Sequence, residues 1–107
     1  MVRIPTHRPP THPGEMLREE FLIPLGIPQK RAAELLGVSY VRLNEVVLGK
    51  RGVTADTALR LAKAFDTTPA FWLNLQLRWD LYHAMRAPEA ATIERIPRMN
   101  PAATAGA

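Results

Sequence analysis

The sequence predicts an all-α fold, a compact bundle of about five helices between two irregular ends. Three observations predict it. Apolar residues recur at helical spacing through the middle of the chain, and the periodic stretches are separated by short breaks carrying Gly, Pro, Ser or Thr. The N-terminal end is dense in Pro among Thr and His, and the C-terminal end is Ala, Pro and Thr with few large apolar groups. This divides the 107 residues into a flexible Pro-rich arm over 1–12, one folded domain over 13–87 and a flexible tail over 88–107. The arm contains Arg3 and Arg8, which either order locally against a phosphate or a protein partner or stay disordered.

The first helix follows Pro13, runs from Gly14 to about Leu22 and turns Met16, Leu17 and Phe21 toward a core; Pro24 and Gly26 end it. The second opens near Gln29, with Ala32, Ala33, Leu35 and Leu36 on one side and Lys30, Arg31 and Glu34 on the other. Gly37 stands where the chain leaves that helix, a position that commonly needs φ > 0 and therefore favours a residue without Cβ. Ser39 then caps the third helix, whose inner face is Leu43, Val46 and Val47. Thr54 starts the fourth, with Ala58, Leu61, Ala62 and Phe65 inward. Thr68-Pro69 starts the last, a capping hydroxyl followed by proline at the first helical position.

The second and third helices form a helix-turn-helix unit, and the outer face of its second helix fits a DNA groove. At about 100° per residue that face carries Val41, Asn44, Glu45 and Leu48, flanked by Tyr40 and Arg42. Tyr40 and Val41, nearest the N-terminal end, are best placed to meet bases and thymine methyls. Arg42 suits a guanine or a phosphate. Asn44 suits adenine and Glu45 suits cytosine, or both serve as surface contacts that hold the helix pair. Gln29 lies at a helix N-terminus beside the DNA backbone, and Lys50 and Arg51 clamp the same backbone. Between Lys30 and Arg51 the basic residues Lys30, Arg31, Arg42, Lys50 and Arg51 outnumber Glu34 and Glu45, a local excess more telling than the net charge of +4.

The last helix carries two apolar stripes. Phe71, Trp72, Leu75, Trp79 and Tyr82 form one, while Leu73, Leu77, Leu81 and Met85 lie nearly opposite. A small domain does not bury both, so the second stripe is expected to be a homodimer interface, or else core covered by the C-terminal tail. A two-fold dimer would present two recognition helices about 34 Å apart, to half-sites roughly 10 base pairs apart.

Catalysis is not expected. There is no paired-histidine zinc spacing, phosphate-cradling glycine loop or nucleophile elbow, so no catalytic residue, metal site or cofactor is assigned. His7 and His12 fall in the Pro-rich arm, His83 sits alone on a helix flank, and Asp56, Asp66 and Asp80 are isolated. The lack of cysteine excludes disulfides and thiolate zinc. No long apolar stretch or signal sequence is visible, so the expectation is a cytoplasmic protein with no membrane contact.

Beyond these patterns, the chain resembles the XRE-type helix-turn-helix proteins, and more narrowly the HigA/VapI-like antitoxin family. The resemblance is carried by HPGEMLREEFL at 12–22, LGVSYVRLNEVVLGKRGVTADTALRLAKAF at 36–65 and TPAFWLNLQ at 68–76. Pro28 stands where relatives usually have Ser or Thr, and Leu48 where Asn is usual. The resemblance implies a bundle of the phage-repressor-like type that forms a homodimer, binds double-stranded DNA at an operator in its own promoter and neutralises a HigB-like ribonuclease toxin. It also implies Gln29 on the DNA backbone, Ser39 to Arg42 with Asn44 and Glu45 at the groove, and Lys50 nearby. A stand-alone XRE-type regulator without a toxin would carry the same features.

Overall fold

The computed structural model describes residues 9–99, and among them it is all-helical, with no strand. The first helix, α1, is continuous across three backbone types: α over Pro13–Leu17, a π turn over Arg18–Leu22 and α again over Ile23–Leu25. The π turn has a cause in the sequence. Pro24 has no N–H to give and its ring crowds the carbonyl four residues back, so the turn before it widens, and the Ile23 N–H reaches the Arg18 carbonyl. Then follow α2 (Gln29–Leu36), α3 (Tyr40–Val47), α4 (Ala55–Phe65), α5 (Pro69–Arg86) and α6 (Glu89–Glu94).

Most of the expected punctuation is in place, but α1, expected to end near Leu22, runs through Pro24 to Leu25 and stops only at the left-handed Gly26, φ 66°. Gly37 closes α2 at φ 71°, the Ser39 hydroxyl accepts from the Arg42 N–H at 3.1 Å to open α3, and Thr54 and Thr68 cap α4 and α5 in the same manner.

Leu17, Leu36, Leu43, Val46, Ala58, Leu61 and Trp72 form the centre of the core. Trp72 is fully buried and keeps its one polar group satisfied, donating from Nε1 to Thr67 Oγ1 at 2.7 Å. Phe21 packs beside it, 5.2 Å from Trp72 and 5.1 Å from Phe65 between ring centroids. At Gly14, α1 and α3 approach backbone to backbone. A Cβ on Gly14 would lie 1.8 Å from the Val46 carbonyl oxygen and 2.9 Å from Val47 Cα, so only glycine lets these helices touch.

Four other sequence expectations are corrected. His12, read as part of a flexible arm, is buried: its Nδ1 accepts the Gly14 N–H at 2.9 Å to cap α1, and its ring meets Trp79 edge-on at 4.9 Å. Leu35, placed on the inner side of α2, is 59% exposed, because three steps of about 100° from Ala32 carry it about 60° back, away from Ala33 and Leu36. Phe71, assigned to the same stripe of α5 as Trp72, is exposed at its rim, its ring meeting Trp72 at a near-right angle 5.0 Å away. The stretch 88–107, expected to be a flexible tail, contains α6; Ala-rich Glu89–Glu94 has good helix formers after Pro88 and none of its residues is buried. The expectations for residues 1–8 and 100–107 lie outside the described residues.

Along α5, Trp72, Leu75 and Tyr82 are buried and Trp79 is half-buried, while Leu73, Leu77, Leu81 and Met85 are exposed on the other side. No helix among the described residues is long and apolar enough to cross a membrane.

Candidate nucleic-acid interface

The recognition unit is α2, the turn at Gly37 to Ser39, and α3. Its inner residues, Ala32, Ala33, Leu36, Leu43, Val46 and Val47, are all buried, which fixes the opposite face of α3 outward. There Tyr40, Val41 and Leu48 are exposed, Val41 by 65%. Three apolar side chains on an outer helix face are a surface that water solvates poorly.

Ser39 is at the cap, its hydroxyl engaged with the backbone of its own helix. Arg42 does not extend outward with Tyr40 and Val41. Its Nη2 donates to Asp56 Oδ2 at 2.9 Å and to Thr57 Oγ1 at 2.7 Å, both on α4. Asn44 is half-buried. Glu45 is engaged by Arg51, whose Nε and Nη2 both donate to Oε1 at 3.0 and 2.7 Å, so these two expected DNA groups are brought together as a pair. The Glu45 carbonyl also accepts from the Lys50 and Arg51 N–H groups at 2.8 and 3.1 Å, which holds the turn after α3 against the helix. Lys50 projects from that turn and Lys30 from the first turn of α2; neither forms an ion pair among the described residues. Gln29 opens α2 half-buried, and its Oε1 is buried without a hydrogen-bond partner among the described residues.

Sequence reasoning missed the residues that tie this unit to the rest of the bundle. Asp56 accepts from Arg60 Nε at 2.9 Å as well as from Arg42, and Arg60 Nη1 donates to the Leu36 carbonyl at 2.8 Å, at the end of α2. The Asp56–Arg60 spacing of four on a helix was a readable signal; the reach back to Arg42 and Leu36 was not. The two guanidiniums, Arg60 first and then Arg42, hold the exposed Asp56 carboxyl below the usual carboxylate range. Gln76 on α5 accepts the Val53 N–H at 2.7 Å and so anchors the loop from α3 to α4. No group of three or more His, Cys, Asp or Glu among the described residues is arranged to hold a metal ion.

A short helix pair closed by a left-handed glycine, with its second helix outward and cations at both margins, defines a DNA-binding helix-turn-helix protein. A helix-turn-helix family model matches residues 17–72. Virulence-associated protein I of Dichelobacter nodosus is 46% identical over 85 residues, 79% of this chain and 79% of that protein. Among solved structures, Pseudomonas aeruginosa antitoxin HigA with the higBA promoter has a TM-score of 0.78 at 40% identity, over 85% of this chain and 99% of that one. Antitoxin GraA in complex with its operator has a TM-score of 0.79 at 40% identity, over 92% and 99%. The chain belongs to the XRE-type helix-turn-helix family, in its HigA/VapI-like antitoxin branch.

Proposed function

We propose that this protein is the antitoxin of a type II, HigBA-like toxin-antitoxin system. It binds an operator in its own promoter as a homodimer, represses its operon and neutralises a ribonuclease toxin by direct contact. The observation that carries this is the outward face of α3, with Tyr40 and Val41 exposed between the cations at Lys30 and Lys50, on a fold whose relatives include an antitoxin solved with promoter DNA. Tyr40 and Val41 enter the major groove, while Gln29, Lys30, Lys50 and Arg51 contact phosphates. Pairing to Glu45 orients Arg51 without neutralising Lys50 beside it.

The exposed stripe of Leu73, Leu77, Leu81 and Met85 supports the dimer. Four large apolar side chains on one face of an 18-residue helix form a self-complementary patch when two copies pack about a two-fold axis. Fully burying one such side chain is worth about 1.5–3 kcal/mol.

Coexpression with the product of the neighbouring gene tests the antitoxin part. A small basic reading frame that arrests growth alone, is tolerated with this protein present and copurifies with it is the expected result. A neighbour that is harmless alone, or that stays toxic and unbound, would leave a regulator without a toxin.

A further inference from the structure

Asp56 and Arg60 on α4 tie both helices of the recognition unit to it, the carboxylate holding α3 and the guanidinium the end of α2. Asp56 Oδ2 accepts from Arg42 Nη2 and from Arg60 Nε, each at 2.9 Å. Arg42 Nη2 is shared with Thr57 Oγ1 at 2.7 Å, and Arg60 Nη1 binds the carbonyls of Leu36 at 2.8 Å and Gly37 at 3.4 Å. Those carbonyls lie at the C-terminal end of α2, where a cation both satisfies free acceptors and complements the helix dipole. The end of α2, the first turn of α3 and the start of α4 therefore meet at one charged knot. The Asp56–Arg60 pair is a local contact four positions apart on α4, but the ties to Arg42 and to the end of α2 span 14, 15 and 24 positions of sequence and are not by-products of helix geometry. Beneath it Val38, Leu43, Val46 and Leu61 line a cavity of only about 10 Å³, so the seam is tightly packed and the knot sits at its rim.

Exposed ion pairs contribute little to stability. What this arrangement does supply is a fixed angle. The Arg42 guanidinium leaves α3 one residue after Val41 and is gripped at two acceptors, which stops α3 from turning about its own axis and carrying Tyr40 and Val41 out of line. Groups that read bases must be held to within about 0.5 Å by the residues behind them. The shift of the Asp56 carboxyl below its usual range agrees with a carboxylate that stays charged between its two cations.

We infer that Asp56 and Arg60 are positioning residues for operator recognition, and that Arg42 is the end of their clamp on the recognition helix rather than a reader of bases. This rests on the DNA-binding reading above. It makes an unusual prediction in sign. Asp56→Asn adds one unit of positive charge, which by electrostatics alone tightens binding to every duplex. Loss of positioning does the opposite, at the operator only.

The test uses the full chain and two duplexes, one spanning the promoter upstream of its own gene and one of the same composition scrambled. Asp56→Asn is expected to lower the preference for promoter over scrambled duplex by roughly two- to thirtyfold, with scrambled binding unchanged or tighter. Arg42→Gln should lower that preference similarly, and the double variant no further than the worse single one. Asp56→Glu, which keeps the carboxylate, should recover part of it. If Asp56→Asn does not stay folded at the assay temperature, the same ratio is read from Arg60→Gln, which leaves the Arg42–Asp56 pair in place. An unchanged or increased preference in the folded variant overturns the inference and makes Arg42 a DNA contact that Asp56 restrains. The wild-type arm separates the two levels: no preference for the promoter duplex in wild type would refute the DNA reading itself.

Discussion

Gly14→Ala should destabilise the protein, although replacing a helical glycine by alanine ordinarily does the reverse. By helix propensity alone the exchange gains up to about 1 kcal/mol. Here the new Cβ would lie 1.8 Å from the Val46 carbonyl oxygen, 2.6 Å from the Val46 carbonyl carbon and 2.9 Å from Val47 Cα. All three are backbone atoms of α3, so no side chain can swing aside. Ordinary contact begins near 3.4 Å, so the backbones must part by about 3.4 − 1.8 = 1.6 Å at that point. Overpacking that flexible side chains partly absorb costs typically 1–3 kcal/mol, and a backbone-to-backbone clash belongs at or above the upper end, about 3 kcal/mol. Offsetting the propensity gain leaves a net loss of about 2 kcal/mol, or a fall of roughly 8–16 °C in Tm for a domain of this size. Thermal unfolding followed by far-ultraviolet circular dichroism measures it. Because α3 is the element displaced, operator affinity should fall as well. A Tm equal to or above that of wild type would refute the close-approach argument and show that α1 and α3 part easily.

Burial lowers the pKa of His12 below its ordinary 6.5, with Asp80 and Glu15 opposing, so folding favours the neutral ring whose Nδ1 caps α1. The stability this supplies is present above pH 6.5 and is lost as pH falls through the lower folded value. His12→Asn keeps a capping acceptor without the titration, so its Tm should fall less than wild type below pH 6.5; parallel curves would exclude His12 as the source. Leu77→Glu should give monomers in sedimentation and lower operator affinity by at least about a hundredfold through lost bivalency, whereas an intact dimer would remove the exposed stripe from the interface. Lys50→Ala should weaken promoter and scrambled duplexes alike and reduce the slope of log affinity against log salt by about one; a loss confined to the promoter duplex would make Lys50 a base contact.

Most helix starts and stops were legible because each depends on one or two neighbouring residues, although α1 runs past its expected end to Leu25 and α6 was not expected. Gly37, Ser39, Thr54 and Thr68-Pro69 act where their chemistry predicts, and the inner faces of α3 and α4 follow from helical spacing. The two stripes of α5 were equally readable, since a period needs no knowledge of the rest of the fold. What the sequence hid is pairing across distance. Arg42, seen as a groove residue by its angle on α3, is held by Asp56 and Thr57, and Glu45 is held by Arg51. Helical position gives the direction of a Cβ, but a long side chain such as Arg chooses its partner from whatever the tertiary fold brings within reach. His12 was misplaced for a related reason: a proline-dense neighbourhood describes the residues before it, while its burial comes from Trp79, 67 positions later. Gly14 carried no local signal at all, since its role depends on a helix that follows later in the chain.

A mobility-shift titration of the purified protein, against its own upstream promoter duplex and a scrambled duplex at two salt concentrations, tests the central claim most directly. The account predicts promoter-selective binding that survives at the higher salt, while scrambled binding falls steeply as counterion release dictates. Equal affinity for both duplexes at both salts would contradict it, and would leave the exposed face of α3 without the role assigned to it.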